Sequence, residues 1–142
     1  MATVTAELGS GTDVRIDMRQ FSWAADEPES AGGTDTGPTP YGILQASLAA
    51  CICVTLRVYA NHKGIRLEGV SASLTFDRIH ADDCEDCDER ADGRIERIRS
   101  TVVIRGDFDD AQRTRLTQVA QRCPVHKSLS NGLHISDSVS FA

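Results

Sequence analysis

Three features of this sequence predict an α+β fold. Short runs of alternating apolar residues lie near both ends, a long apolar stretch in the middle carries helix start and stop signals, and the strand-like runs come in blocks rather than one for one with helices. At 142 residues the chain is long enough for one domain, 1–142, with a single core, or for one subunit of an intertwined oligomer.

The first three elements read as strands. "TVTAEL" alternates, "DVRIDM" alternates through Val14, Ile16 and Met18, and "QFSWAA" sets Phe21 and Trp23 on one face, with "GSGTD" as a turn between the first two. The stretch "DEPESAGGTDTGPTP" is dense in Gly, Pro, Thr and acid and reads as a loop. It does not read as a domain linker, because the segment before it is too small to fold alone.

The strongest local signal comes next. Thr39 suits an N-cap, Pro40 the first helical position and Gly64 a left-handed terminator, which predicts a helix over Pro40–Lys63. At ~1.5 Å per residue such a helix is about 36 Å long. Its first two thirds are small or apolar on nearly every side, and a helix apolar all round is buried all round. One subunit of this size can hardly surround it, so a partner subunit is expected.

"LEGVSASLTFDRIH" and "RIERIRSTVVIRGDF" read as two strands flanking the polar segment "ADDCEDCDERADG". "DDAQRTRLTQVAQR" has helical spacing at Leu116, Val119 and Ala120, with acid at its start, where the helix dipole favours it. "CPVHKSLSNG" is a second short helix ending at Gly132, and "LHISDSVSF" is expected to close the fold as a strand.

Composition narrows the function. With 40% hydrophobic and 25% charged residues, the chain is of soluble globular type. Its 21 acidic against 15 basic residues give a net charge of -6, a surface that repels polyphosphate and makes nucleic acid an unsuitable partner. The N-terminus lacks a basic start followed by an apolar stretch, so no secretory signal is visible. The longest apolar run, Ile43 to Leu56, is interrupted by Gln45 and Ser47 and falls short of the roughly 20 residues of a span. No membrane association and a cytoplasmic location are expected. No G-x-G-x-x-G, P-loop or G-x-S-x-G sequence occurs, so nucleotide binding and serine hydrolysis lack support.

The chemistry therefore rests on five cysteines, an odd number that suits thiols, metal ligands or redox groups better than a disulfide framework. Cys51 and Cys53 lie mid-helix, about 200° apart around the axis, so at most one faces a given pocket. Buried thiols are usually inert packing groups, and burial alone raises a thiol pKa; activation needs a cation or an oriented donor. Cys123 precedes Pro124 at a helix start, where free amides and the dipole favour thiolate, and His126 could add to that effect. Cys84 and Cys87 have C-x-x-C spacing, with His80 just upstream. Two thiolates and an imidazole suit zinc if Asp83 or a partner's residue supplies a fourth ligand. A redox pair or a plain exposed hairpin loop fits the same spacing. His134 reads as a surface residue.

Taken in order, "DEPESAGGTDTGPTPYGILQASLAACICVTLRVYANHKGIRLEGV", "RIHADDCEDC" and "RCPVHKSL" resemble the OsmC-like branch of the osmotically inducible protein C and organic hydroperoxide resistance family. The resemblance spans nearly the whole chain. It implies an OsmC-like fold: antiparallel sheets wrapped around long central helices in an intertwined homodimer. It also implies a thiol-dependent peroxidase that reduces organic hydroperoxides, with no cofactor and with a dithiol or lipoyl-type reductant. Cys51 then becomes the reacting thiol, passing through a sulfenic acid to a Cys51–Cys123 disulfide, and Cys53 is left as core. Peroxidases of the family pair an arginine with a glutamate near the first cysteine. Here the acid's place is taken by Tyr41 and Gly42, and the loop before the helix holds no arginine, which leaves Arg15 and Arg19 as candidate cations. Two alternatives come from other classes. One is a non-catalytic binder of small hydrophobic molecules, and the other a thiol or metal sensor built on His80, Cys84 and Cys87.

Overall fold

A computed structural model describes residues 2–85, 87 and 93–142. The elements run β1 (Thr5–Leu8), β2 (Val14–Met18), β3 (Phe21–Ala25), α1 (Pro40–Lys63), β4 (Gly69–His80), β5 (Arg94–Arg105), α2 (Asp110–Ala120) and α3 (Pro124–Asn131), with one-turn 3-10 helices at Glu29–Ala31 and Ala81–Asp83. This is the expected α+β order up to α3. Of the polar segment between β4 and β5, residue 86 and residues 88–92 lie outside the described residues. The chain divides into two compact units, Met1–Ala46 and Ser47–Ala142, with α1 running through the boundary.

In the first unit, β1, β2 and β3 form an antiparallel meander in that order, with Ile16 opposite Ala6 on one side and Trp23 on the other. The loop after β3 is more organised than its composition suggests. Asp26, only 2% exposed, accepts hydrogen bonds from the Thr12 hydroxyl (2.8 Å) and the Glu27 amide (2.8 Å) on one oxygen. Its other oxygen accepts from the hydroxyls of Thr34 and Thr36 and from both of their amides. Gly33 and Gly37 sit where a β-carbon would lie 1.9 Å from the Glu27 carbonyl oxygen and 2.3 Å from that of Ala24. A side chain at either place would force the loop off its anchor.

In the second unit, the α1 residues Leu48, Ile52, Leu56 and Ala60 recur every fourth position and form the buried stripe. Leu67, Leu116 of α2 and Cys123 complete that cluster, and Val70, Leu74, Ile98, Val102 and Ile104 of the β4–β5 hairpin pack against it. The ends of α1 are as predicted. The Thr39 hydroxyl accepts from the Gly42 amide (3.0 Å). Gly64, at φ 67°, closes the helix with its own amide on the Asn61 carbonyl and that of Ile65 on the Ala60 carbonyl, a Schellman pattern. Helix α2 starts on a reciprocal cap between Asp109 and Gln112.

Two expectations need correction. The helix that holds the apolar run continues through Val58, Tyr59 and Ala60, so its 24 residues are, by length and composition alone, enough to cross a membrane. One stripe of it is buried and its last turn is polar. The apolar run "LHISDSVSF" is not a strand: residues 133–142 are unpaired, with Leu133, Ile135, Val139 and Phe141 from 65% to 98% exposed. Alternation prepares a segment for a sheet but does not select a neighbouring edge, and among the described residues no strand pairs with it. The far side of α1 is open in the same way, with Val54 60% and Val58 61% exposed.

Candidate active site

Both thiols singled out for catalysis lie in the second unit, and the fold brings them together from distant parts of the sequence. Cys51 is carried on α1, one position before the buried Ile52, so it stands beside the core rather than in its middle. Cys123 is the N-cap of α3 and is fully buried in the cluster that Cys51 packs against. Pro124 takes the first helical position, where a missing amide costs nothing, and the next free amides turn toward sulfur.

Those amides decide the electrostatics. The His126 amide donates to Cys123 Sγ (3.4 Å), and the Val125 amide serves both Cys51 and Cys123. Burial pushes the Cys51 thiol up. The Val125 amide, the Cys123 thiol and the Thr55 hydroxyl, 3.8 Å from Cys51 Sγ, more than offset this and hold it below the ordinary thiol value. Cys123 goes the other way. Burial raises it, its hydrogen bond to Cys51 and the Cys51 charge raise it further, and the amides of His126 and Val125 only partly oppose them. The pair is thus ordered: Cys51 ionises first, with Cys123 as its protonated donor. Helix α3 thus lends its first amides to the thiol of the neighbouring helix as well as to its own cap.

The other candidates take separate positions. Cys53 points away from Cys51, half-buried, and lines a shallow groove with Val54, Arg57 and Val70 rather than joining the buried cluster. The His126 ring is drawn to Ser130 (3.3 Å), so its contribution to the thiols is its backbone amide. His134 lies in the unpaired tail beside Ser136. Arg15 and Arg19 belong to the first unit. Arg15 forms a two-pronged pair with Asp17 (2.9 and 3.1 Å), and Arg19 occupies the turn between β2 and β3 at φ 55°. His80 caps the turn after β4, its Nδ1 accepting from the Asp82 amide (3.2 Å). Cys84 and Cys87 are joined in a disulfide, with Cα atoms 5.6 Å apart. Both thiolates that a zinc ion would need are used up in that bond.

Sequence reasoning missed two members of the site. Thr55 stands four residues after Cys51, the spacing that puts side chains on one helix face, and could have been found. The Val125 amide could not, since a backbone donor has no residue type to betray it.

The OsmC-like protein family model matches residues 33–136, more than half of the chain. Among curated proteins, none matches. Solved structures do. The chain is similar to an OsmC-like protein from Mycoplasma pneumoniae (TM-score 0.70, 22% identity, covering 92% of this chain and 87% of that one). It is also similar to an organic hydroperoxide resistance protein OsmC from Legionella pneumophila (TM-score 0.65, 20% identity, 91% and 88%). A third likeness is to the organic hydroperoxide resistance protein OhrB of Bacillus subtilis (TM-score 0.58, 22% identity, 90% and 89%). These likenesses establish the mixed architecture of helices and antiparallel sheets.

Proposed function

The chain belongs to the OsmC-like protein family, and from that premise we propose that it is a thiol-dependent peroxidase acting on organic hydroperoxides. The observation that carries the proposal is the contact between Cys51 and Cys123, with the first thiol favoured as thiolate and the second held protonated. Some structural relatives are named for organic hydroperoxide resistance, which agrees with this chemistry.

In this reading the Cys51 thiolate attacks a peroxide oxygen, the O–O bond breaks, and the alkoxide leaves as an alcohol after taking a proton. Cys51 is then a sulfenic acid. The negative charge that kept Cys123 protonated is gone at that moment, so the amides of His126 and Val125 now favour its ionisation. The Cys123 thiolate attacks the Cys51 sulfur, and the leaving hydroxide takes up the proton that Cys123 gave up, giving water and a disulfide. A dithiol or lipoyl-type reductant returns both thiols in a two-electron exchange. The apolar surroundings of Cys51 suit a lipid-like or aromatic hydroperoxide better than hydrogen peroxide. Arg15 and Arg19 are the candidate cations that would support the first step.

The working unit is proposed to be a homodimer, because the open side of α1 and the unpaired tail leave apolar surface that a second copy would cover. The test of the reaction is turnover of an organic hydroperoxide with a dithiol present. Cys51→Ser should abolish it and Cys53→Ser should leave most of it, since the two side chains point apart. Loss of activity on changing Cys53 alone would contradict the assignment.

A further inference from the structure

Cys84 and Cys87 belong neither to the buried cluster nor to the groups that act on Cys51 and Cys123. The strands β4 and β5 pair without interruption from Gly69 opposite Arg105 to His80 opposite Arg94. Only the inner part of the hairpin reaches the core: Leu74 on β4 and Ile98 on β5 are the outermost of its residues packed against the cluster. Further toward the turn Asp77 holds Arg97 through two hydrogen bonds (2.9 and 3.0 Å) and reaches back to Arg99 through one (3.2 Å), and Arg78 pairs with Glu96 (3.2 Å). The end is closed by the Ala81 amide on the Gly93 carbonyl (2.7 Å), and the His80 cap shapes the turn after it.

A disulfide has little left to stabilise here. Register is already set by twelve residues on each strand, and a bond between cysteines three apart closes one of the shortest loops, for which the entropic gain is smallest. Both cysteines are half-exposed, within reach of a thiol from outside. Exposed disulfides of this kind are the labile ones, open to exchange. The setting also has a sign. Asp82, Asp83 and Glu85 are exposed beside the bond. Such a field repels anionic thiolates and favours a partner that brings positive charge.

We propose that Cys84 and Cys87 form a thiol–disulfide exchange site, independent of Cys51 and Cys123, that takes electrons from a dithiol partner whose reactive thiol lies in a basic surface. The partner's thiolate attacks one of the two sulfurs, the Cys84–Cys87 bond breaks, and the released cysteine takes a proton from water. The partner's second thiol then attacks the mixed disulfide and frees the other cysteine. Two electrons and two protons pass, and the partner leaves as a disulfide. The acids around the pair keep the resulting thiols protonated and slow to react elsewhere.

The test uses the full chain, first treated with oxidised glutathione. Opening by cysteamine, 2-mercaptoethanol and mercaptoacetate is followed by acid quench, alkylation and tryptic mass analysis. The peptide Ile79–Arg90 holds Cys84 and Cys87 and no other cysteine, so its mass reports this pair whatever Cys51 and Cys123 do. Per thiolate, the cationic reagent should be fastest and the anionic one slowest, with a spread of about tenfold or more at low salt. The spread should collapse at about 1 M salt, and also in the chain with Asp82→Asn, Asp83→Asn and Glu85→Gln. Reduced dithiothreitol should open the bond in the folded protein, and, once it is removed, oxidised glutathione should close it again. A bond that opens only on unfolding would make it a structural staple and overturn the proposal. Rates indifferent to reagent charge would overturn it too, as would reduced protein that binds one equivalent of zinc at these cysteines.

Discussion

At the scale of single residues, the reactivity of Cys51 depends on donors rather than on exposure. Burial acts against it, and three hydrogen bonds reverse the balance, the Val125 amide first, then Cys123, then Thr55. Cys123→Ala should therefore raise the Cys51 pKa more than Thr55→Val does. The pH dependence of alkylation would show it, both midpoints moving to higher pH and the rate near pH 7 falling severalfold in Cys123→Ala. Equal shifts, or none, would mean that the thiolate is held by something else. The two cysteines were legible in the sequence because their settings differ from ordinary core: one mid-helix in an apolar run, the other before a proline at a helix start. The resemblance gave Cys51 the first step and Cys123 the closure, but which thiol ionises first was not readable from the local pattern. It depends on which helix the α3 amides face, and no pattern within α3 encodes the position of α1.

At the scale of elements, helix α1 was readable to the residue, since Thr39, Pro40 and Gly64 each do locally what their side chains dictate. The loop from Asp26 to Pro38 was readable only as a loop. Its order comes from one buried carboxylate that gathers threonines from Thr12 to Thr36, a convergence across the chain that a local reading does not see. The Thr34 hydrogen bond above all, with those of Thr12, Thr36 and the Glu27 amide, holds the Asp26 carboxyl well below the usual carboxylate range against the opposing effect of burial. The folded chain thus takes up this proton less readily than the unfolded one. The stabilisation is complete above about pH 4, the unfolded carboxylate value, and is lost as pH falls through the lower folded value. Asp26→Asn should lower Tm by several degrees at neutral pH, and the deficit should shrink below about pH 4 as the parent protein loses the same contribution. A deficit that stays constant down to pH 2 would show that Asp26 acts by shape alone. The tail "LHISDSVSF" was misread for the complementary reason: its alternation is real, but alternation does not select a partner, and the tail joins none of the described strand edges.

At the scale of the whole molecule, the same open surfaces argue for a second copy. A helix with one buried stripe and an apolar opposite face, together with an unpaired apolar tail, predicts sedimentation at about twice the chain mass at micromolar concentration. A compact, stable monomer would contradict the dimer while leaving the Cys51–Cys123 contact intact, because both thiols lie within one chain. The central claim is therefore best tested on that contact itself. One equivalent of an organic hydroperoxide, added to the reduced protein and followed by mass mapping without reductant, should yield a Cys51–Cys123 disulfide. Cys123→Ser should instead stop at a Cys51 sulfenic acid that overoxidises with excess peroxide; if Arg15 or Arg19 activates Cys51, replacing it should slow the first oxidation and spare the closure. Both thiols left free in the parent protein after peroxide would contradict the peroxidase account.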